Sequence, residues 1–345
     1  MRRVLLTGVG GFIGANCLKY LIENTDWFII GIDSFRHKGT YSRINSICGE
    51  LDSNRACILQ HDLSTPIDSV LENQIMNRTI DSFGEINESK VDYIINLASD
   101  SAVERSITNP VQCWRNNCDV ILNILEFARK VKPDVFWHTS TDEVFGDCPQ
   151  NYSHKEWDSI VPSNPYAASK AAQEALAISY WRTFDVPLVI GNIMNCIGIG
   201  QDKEKFLPKL ISKIATNQEI EIYADDDKIG TRYYLQVENH ADAIKFCVGQ
   251  PVLHYSHDID RPSRYNVAGD TELSNLELAQ TVANIMCKEL KYKLVESSSI
   301  RRGYDKRYSL DDSKLRNLGW KPPVAFVDGI QKIIKWTVDN PHWII

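Results

Sequence analysis

No apolar run in the chain approaches the roughly 20 consecutive residues that a membrane helix needs. The N-terminal Met1-Arg2-Arg3-Val4-Leu5-Leu6-Thr7-Gly8 reaches glycine far too early for a secretory signal. A membrane role is therefore not expected, and the chain reads as cytoplasmic. Basic surplus is also lacking. The 38 Lys and Arg stand against 45 Asp and Glu, a net charge of -7, which argues against a nucleic-acid partner while leaving room for a local patch that holds one anionic ligand. Nine cysteines, spread from Cys17 to Cys287, include no C-x-x-C pair, the pattern of reduced thiols rather than of a disulfide framework. No metal is expected: His254-x-x-His257, near Pro251 and Pro262, reads as a solvated loop rather than a zinc site. Internal repeats and low-complexity tracts are missing as well. What remains is 345 residues, 43% hydrophobic and 24% charged, enough for one large or two modest domains around a full core, and incompatible with disorder or a coiled coil.

The first half alternates short β-branched runs with longer segments of helical periodicity, the signature of a parallel sheet flanked by helices. Strands are predicted at Arg3 to Leu6, Trp27 to Ile32, Ala56 to Leu59, Tyr93 to Leu97, Asp134 to Thr139 and Pro187 to Gly191. Helices are predicted over Pro110 to Lys130 and Pro165 to Thr183, the second opened by Ser163-Asn164 as cap candidates and by Pro165 at its first position. Residues 65–90 are long, polar and weakly periodic, and read as a helix followed by a mobile insertion. After about residue 190 the alternation fades into shorter elements and charged turns such as Asp225-Asp226-Asp227 and Asp258 to Arg264. The expected architecture is α/β: a Rossmann-type doubly wound parallel sheet over residues 1–190, with a returning segment at about 236–268, and a smaller mixed α/β substrate-binding domain over 191–345.

Directly after the first strand stands Thr7-Gly8-Val9-Gly10-Gly11-Phe12-Ile13-Gly14, a G-x-x-G-x-x-G spacing that runs into a helix with Leu18, Leu21 and Ile22 on one side. Gly8 turns the strand, Gly11 lets the backbone approach a pyrophosphate, and Gly14 lets helix and strand pack closely. The helix start offers open N–H groups and a positive dipole end to the anion. The second strand ends at Asp33, roughly 20 residues past the last glycine, where a carboxylate meets ribose hydroxyls. A dinucleotide is the expected cofactor. Asp33 repels a 2'-phosphate and favours NAD, whereas Arg36, His37 and Lys38 keep NADP open. Asp62, just past the third strand, admits two readings: a contact to the adenine edge, or the cap of the next helix.

Tyr166 and Lys170 lie four residues apart on one face of a predicted helix. An ammonium beside a phenol favours the phenolate and lowers its pKa, so the pair can take a proton from a hydroxyl while hydride leaves for nicotinamide. Ser140 ends the preceding strand. These residues are similar to the catalytic set of the extended short-chain dehydrogenase/reductase superfamily. The adjoining stretch, Ser140-Thr141-Asp142-Glu143-Val144-Phe145-Gly146, places two carboxylates at the carboxyl end of the fifth strand, where open parallel sheets hold ligands. On a continuing strand the two would point to opposite faces, so they cooperate only if the chain leaves extended geometry near Thr141. Spacing alone serves a solvated acidic turn equally well.

That segment closely resembles the Ser-Thr-Asp-Glu-Val-Tyr-Gly segment of the nucleotide-sugar 4,6-dehydratases. The likeness spans nearly the whole chain, recurring at Asn96-Leu97-Ala98-Ser99, Val103-Glu104-Arg105-Ser106, Asn164 to Lys170, Arg232 to His240, Tyr265-Asn266-Val267 and Arg301 to Tyr308. The resemblance implies that Thr141, Asp142, Glu143, Tyr166 and Lys170 are catalytic. It implies cofactor contacts at Gly8, Gly11, Phe12, Ile13, Gly14, Asp33, Asp62, Leu63, Leu97, Ala98, Ser99 and Ser140, joined by Tyr166 and Lys170. It implies substrate contacts at Glu104, Arg105, Asn195, Lys205, Phe206, Arg232, Asn266, Arg301 and Tyr304, where Arg and Lys suit phosphate oxygens, although Lys205 taken alone reads as surface charge. The cofactor implied is NAD, the partner a nucleotide sugar, and the assembly a homodimer through a four-helix bundle of Pro110 to Lys130 and Pro165 to Thr183. Residues Trp114, Ile121, Leu125, Ala168, Ala171, Ala172 and Ala175 make those helices richer in apolar and small side chains than one sheet-facing stripe requires. The chain departs from the family at Ala102 (usually His), Glu104 (Asp), Cys196 (Asn), Ile199 (Pro) and Tyr304 (His), positions around sugar and nucleotide rather than cofactor.

Overall fold

A computed structural model describes residues 1–77, 79–80, 86–87, 89–225, 228–250, 260–296 and 305–343. The chain divides into two compact units. The first comprises Met1–Ser140, Asn164–Gly191 and Ala243–Tyr265; the second comprises Thr141–Ser163, Asn192–Asp242 and Asn266–Ile345.

The first unit is built on strands β1 (Arg3–Thr7), β2 (Phe28–Asp33), β3 (Ala56–Gln60), β4 (Tyr93–Asn96), β5 (Val135–Thr141), β6 (Leu188–Ile193) and β7 (Ser263–Val267), in the spatial order β7-β6-β5-β4-β1-β2-β3. The ladders joining β3, β2, β1, β4 and β5 are all parallel. Their sequences are near-continuous apolar runs, because both faces of a parallel sheet are covered. Val4, Leu5, Leu6, Ile29, Ile30, Ile94, Ile95, Phe136 and Trp137 are indeed fully buried. The covering helices include α1 (Phe12–Asn24), α2 (Tyr41–Cys48), α3 (Ser69–Met76), α4 (Val103–Thr108), α5 (Pro110–Val131) and α6 (Pro165–Phe184). In α5, Val120, Ile121, Ile124, Leu125 and Ala128 recur at helical spacing and fill the core beside Leu5, Ile94 and Phe136. The Asn164 side chain accepts the Ala167 amide at 2.9 Å and caps α6, with Pro165 at its first position.

Two expectations need correction. Ile121 and Leu125 belong to the core of their own unit rather than to a surplus face, whereas Trp114 is exposed, with Ile107, Val111 and Leu122 nearby. The expected charged turn ending at Arg264 ends instead inside β7, where buried Arg264 forms an ion pair with buried Glu174 of α6, so the charge that suggested solvent is neutralised internally. The helix expected within residues 65–90 is α3, followed by a short antiparallel pair, Thr79–Ile80 with Ile86–Asn87, and residues 78, 81–85 and 88 of the expected insertion lie outside the described residues. His254 and His257 lie outside the described residues.

The second unit carries two small sheets. Strand Thr231–Gln236 runs antiparallel to Glu272–Ser274 and parallel to Asn195–Ile197; strand Ile220–Asp225 pairs in parallel with Tyr292–Glu296. Helices Phe206–Ala215, Asn275–Ile285 and Phe326–Asp339 pack together, burying Leu210, Ile211, Leu278, Val282, Ile330 and Ile333. No helix among the described residues is long and apolar enough to cross a membrane.

Removing one partner of a buried ion pair strands the other charge. Arg264→Ala should therefore cost about 3–5 kcal/mol in denaturant unfolding. The double substitution Arg264→Met, Glu174→Leu should recover most of that loss; if it does not, the pair contributes more than charge neutralisation.

Candidate active site

The glycine turn is dictated by sterics. Gly8 has φ +72°, and a Cβ there would lie 3.0 Å from the Ala98 backbone. A Cβ on Gly14 would lie 2.0 Å from the Gly8 carbonyl oxygen, so α1 can approach β1 this closely only with glycine at that position. No side chain caps α1 at Gly11, which leaves its start, at Phe12 and Ile13, open to an anion. The Thr7 hydroxyl accepts the amides of Leu97 and Ala98 and donates to Asn96 Oδ1 at 2.7 Å, pinning the end of β4 beside the turn. Ser99 Oγ and Ser140 Oγ are buried with no partner among the described residues.

Asp33 at the end of β2 accepts the Gly10 and Phe35 amides, each at 2.9 Å. Its carboxylate thus organises the turn and keeps lone pairs for hydroxyl donors. Asp62 does not cap the next helix; Asp68 does, by accepting the Leu71 amide. Asp62 instead accepts the Ser64 amide and pairs with Arg36 at 2.5 Å, and Arg36 also donates to Asn116. These residues border a cleft of about 790 Å³ lined by Arg36, His37, Ser64, Asn116 and Asp119. The Leu63 side chain is part of the core, so only its main chain can face a ligand.

Tyr166 and Lys170 sit one turn apart on α6, both buried. The Tyr166 amide donates to Ser106 Oγ at 3.1 Å. Lys170 is 4% exposed, and its Nζ donates to the Thr139 carbonyl at 2.8 Å and to Gln173 Oε1 at 2.5 Å. Burial pushes its pKa down to about 7. The glycine cradle, the uncapped helix start, the open Asp33 lone pairs and the two unpartnered serine hydroxyls fit a dinucleotide.

In the second unit, Thr141 closes β5 and caps a single 3-10 turn, Asp142–Phe145: its hydroxyl accepts the Glu143 amide at 3.3 Å and donates to Asp142 Oδ1 at 2.9 Å. Gly146, at φ +77°, ends the turn. The chain thus leaves extended geometry at Thr141, as cooperation between the two carboxylates demands. Asp142 is 3% exposed, and its Oδ2 has no partner among the described residues. Burial, reinforced by the negative charge of Glu143, raises its pKa to about 7. Asn192 Nδ2 donates to the Thr141 carbonyl at 3.1 Å. Buried Arg232 donates to the carbonyls of Thr231, Asp305 and Lys306 and stacks over the Tyr308 ring at 4.5 Å. Tyr308 donates to Asp305, and its pKa is driven up by burial and by Glu143.

The remaining predicted residues scatter. Glu104 is exposed on α4, and Arg105 grips Asp100 with two hydrogen bonds. Asn195 Oδ1 is buried without a partner among the described residues, whereas Lys205 and Phe206, at the start of the Phe206–Ala215 helix, are half-buried. Asn266 is fully buried: its Nδ2 ties the carbonyls of His154 and Asp311 together as a strut, and its Oδ1 has no partner among the described residues. Arg301 and Tyr304 lie outside the described residues. Asn192, Tyr308, Gln173 and Asn117 were not among the expected residues, although Tyr308, Gln173 and Asn117 stand in segments already singled out, the Arg301 to Tyr308 stretch and the two long helices.

The GDP-mannose 4,6 dehydratase family model matches residues 5–333. The dTDP-glucose 4,6-dehydratase of Shigella flexneri is 30% identical over 366 residues, covering 99% of this chain and 94% of the relative. The low-salt glycan biosynthesis protein Agl12 of Haloferax volcanii is 31% identical, covering 96% and 97%. Among solved structures, DesIV, a dTDP-glucose 4,6-dehydratase from Streptomyces venezuelae with NAD and TYD bound, superposes with a TM-score of 0.83 at 26% identity, over 99% of this chain and 98% of that one.

A carboxyl whose pKa rises from 3.8 to about 7 on folding favours the fold when protonated and costs stability as it ionises. Asp142→Asn should therefore gain on the native chain as pH climbs from about 4 to about 7, by a few kcal/mol in all. A stability difference that stays flat across that window, measured by urea titration, would refute the shift.

Proposed function

The chain belongs to the GDP-mannose 4,6 dehydratase family, and on that footing we infer that it is an NAD-dependent nucleotide-sugar 4,6-dehydratase, converting an NDP-hexose into the NDP-4-keto-6-deoxyhexose with loss of water. The observation that carries this reading is Asp142: a buried carboxyl with an unpartnered oxygen and a pKa near neutrality, next to Glu143 and capped by Thr141. A dehydrogenase or epimerase of the superfamily needs Tyr166 and Lys170 but has no use for a second acid and base.

The first unit would hold NAD and the second the nucleotide sugar. When bound, NAD supplies a hydride acceptor at the outset and a hydride donor at the end. Tyr166, held as phenolate by the Lys170 ammonium, takes the proton of the sugar C4 hydroxyl as C4 becomes a ketone. The ketone acidifies the C5 hydrogen, which the Glu143 carboxylate accepts. Asp142, kept protonated by burial, gives its proton to the C6 hydroxyl, which leaves as water. Thr141 orients the C4 oxygen. Glu143 then returns a proton to C5 as C6 is reduced, Tyr166 releases the C4 hydroxyl proton to solvent and Asp142 takes one back, so the three side chains end as they began and the net loss is one water.

The assembly proposed is a homodimer with isologous contacts. Ile107, Val111, Trp114 and Leu122 expose an apolar stripe on α4 and α5, and Ala175 with half-buried Ala168, Ala171 and Ala172 offers a small-residue face on α6. The setting proposed is the cytoplasm, where the nine free cysteines stay reduced.

Incubation with dTDP-, UDP-, GDP- and CDP-hexoses, followed by mass spectrometry, should show loss of one water from one of them; no loss from any, with NAD supplied, would sink the reading. Asp142→Asn and Glu143→Gln should each slow water loss about a hundredfold or more while sparing the initial hydride step. Trp114→Glu should convert the dimer to monomer in light scattering, and an unchanged mass would place the interface elsewhere.

A further inference from the structure

Lys170 is surrounded by groups that do not neutralise it. On its own helix, Glu174 is committed to Arg264 of β7. On β5, His138 is fully buried, and its pKa lies well below the ordinary value through desolvation, with the charges of Lys170 and Arg264 adding to the effect; it is neutral at physiological pH. On α5, Cys113 has its thiol pushed up by burial. Tyr166 is the remaining titratable neighbour on α6. The ammonium therefore sits in a low-dielectric pocket without a carboxylate partner among the described residues, an arrangement that favours proton loss.

One side chain opposes this. Gln173 is 0% exposed; its Oε1 accepts from Lys170 Nζ at 2.5 Å, and its Nε2 donates to the Asn117 carbonyl of α5 at 2.6 Å. The orientation of the amide is set by chemistry: an ammonium only donates and a carbonyl only accepts, so a flipped amide would lose both bonds. Asn117 is itself fixed, since its Nδ2 donates to the Asp100 carbonyl and to Ser169 Oγ, and its Oδ1 accepts the Asp100 amide. Among the described residues Gln173 is the sole side-chain acceptor for Lys170.

We propose that Gln173 is a positioning residue for Lys170: anchored to α5, it directs a carbonyl dipole at the ammonium, keeping the lysine protonated and aimed without adding a charge to the pocket. This rests on the role assigned above to Lys170. A hydrogen bond to a charged group stabilises the charged form, and a neutral acceptor does so less than a carboxylate would. The device leaves Lys170 cationic enough to favour the Tyr166 phenolate while holding its position against two helices.

The test reads the lysine directly. In protein carrying carbon-13-labelled lysine, the Lys170 Cε resonance, identified by its loss in Lys170→Arg, should titrate near neutrality. Gln173→Met, which keeps the volume and removes the acceptor, should move that titration down by about one pH unit and lower kcat about tenfold, the worth of one hydrogen bond to a charged group. Gln173→Glu should move it up, and the alkaline limb of the pH–rate profile should follow in the same direction. Should Gln173→Met fail to fold, as circular dichroism would reveal, Gln173→Glu decides alone. A Lys170 titration unmoved in Gln173→Glu overturns the proposal. Absence of turnover on every nucleotide sugar, with the titration still moving, would count against the dehydratase reading and leave the Gln173–Lys170 coupling supported.

Discussion

Charge held out of water with incomplete compensation is the constraint on which the rest of this molecule depends. Lys170, Asp142, His138, Glu174 and Arg264 all lie in the interior, where desolvation disfavours the ionised form of any group that lacks a partner. The fold answers in three ways. Glu174 and Arg264 neutralise each other. His138 stays neutral. Lys170 and Asp142 are left near neutrality, a lysine brought down to about 7 and an aspartic acid brought up to about 7. Matched pKa values of this kind are what proton transfer at neutral pH requires, and they arise from burial more than from any specific charge.

The backbone supplies what these side chains need to stay in place. Strand β5 ends in Thr141, and the immediate 3-10 turn converts alternating strand geometry into a compact acidic corner, stopped by Gly146 in a conformation that favours glycine. At the end of β1, Gly8 and Gly14 remove the atoms that would otherwise separate α1 from β1, so a helix start meets the strand end where doubly wound sheets bind ligands. Short-range sterics thus shape an anion cradle in the first unit and an acid corner in the second.

Helix α5 links these features to the rest of the first unit. Its inner face fills the core through Ile121, Ile124 and Leu125, Asn117 reaches α6 through Ser169 and Gln173, and Asn116 meets Arg36 near Asp62. Its outer face remains apolar at Val111, Trp114 and Leu122. A single helix therefore serves packing, the anchoring of Lys170 and the proposed subunit contact, which explains why its sequence looked overstocked with apolar residues and why Ile121 and Leu125 turned out to be core.

Much was legible in the sequence. The six strands of the first half, the two long helices, the Asn164 cap and the glycine turn follow from local rules, periodicity of apolar residues and backbone sterics, which act within a few positions and leave their mark on residue order. Tyr166 and Lys170 share a helix face for the same reason. What only the tertiary structure decided involves partners far apart in the chain: Arg264 entering a strand because Glu174 awaits it, Asp62 turning to Arg36 instead of a helix end, Asn266 becoming a strut, and Gln173 taking its place between Lys170 and Asn117. A residue's spacing says which way it points, but whether a polar group meets water, a ligand or another buried polar group is settled by desolvation and hydrogen bonding across the assembled core, and no local pattern records that.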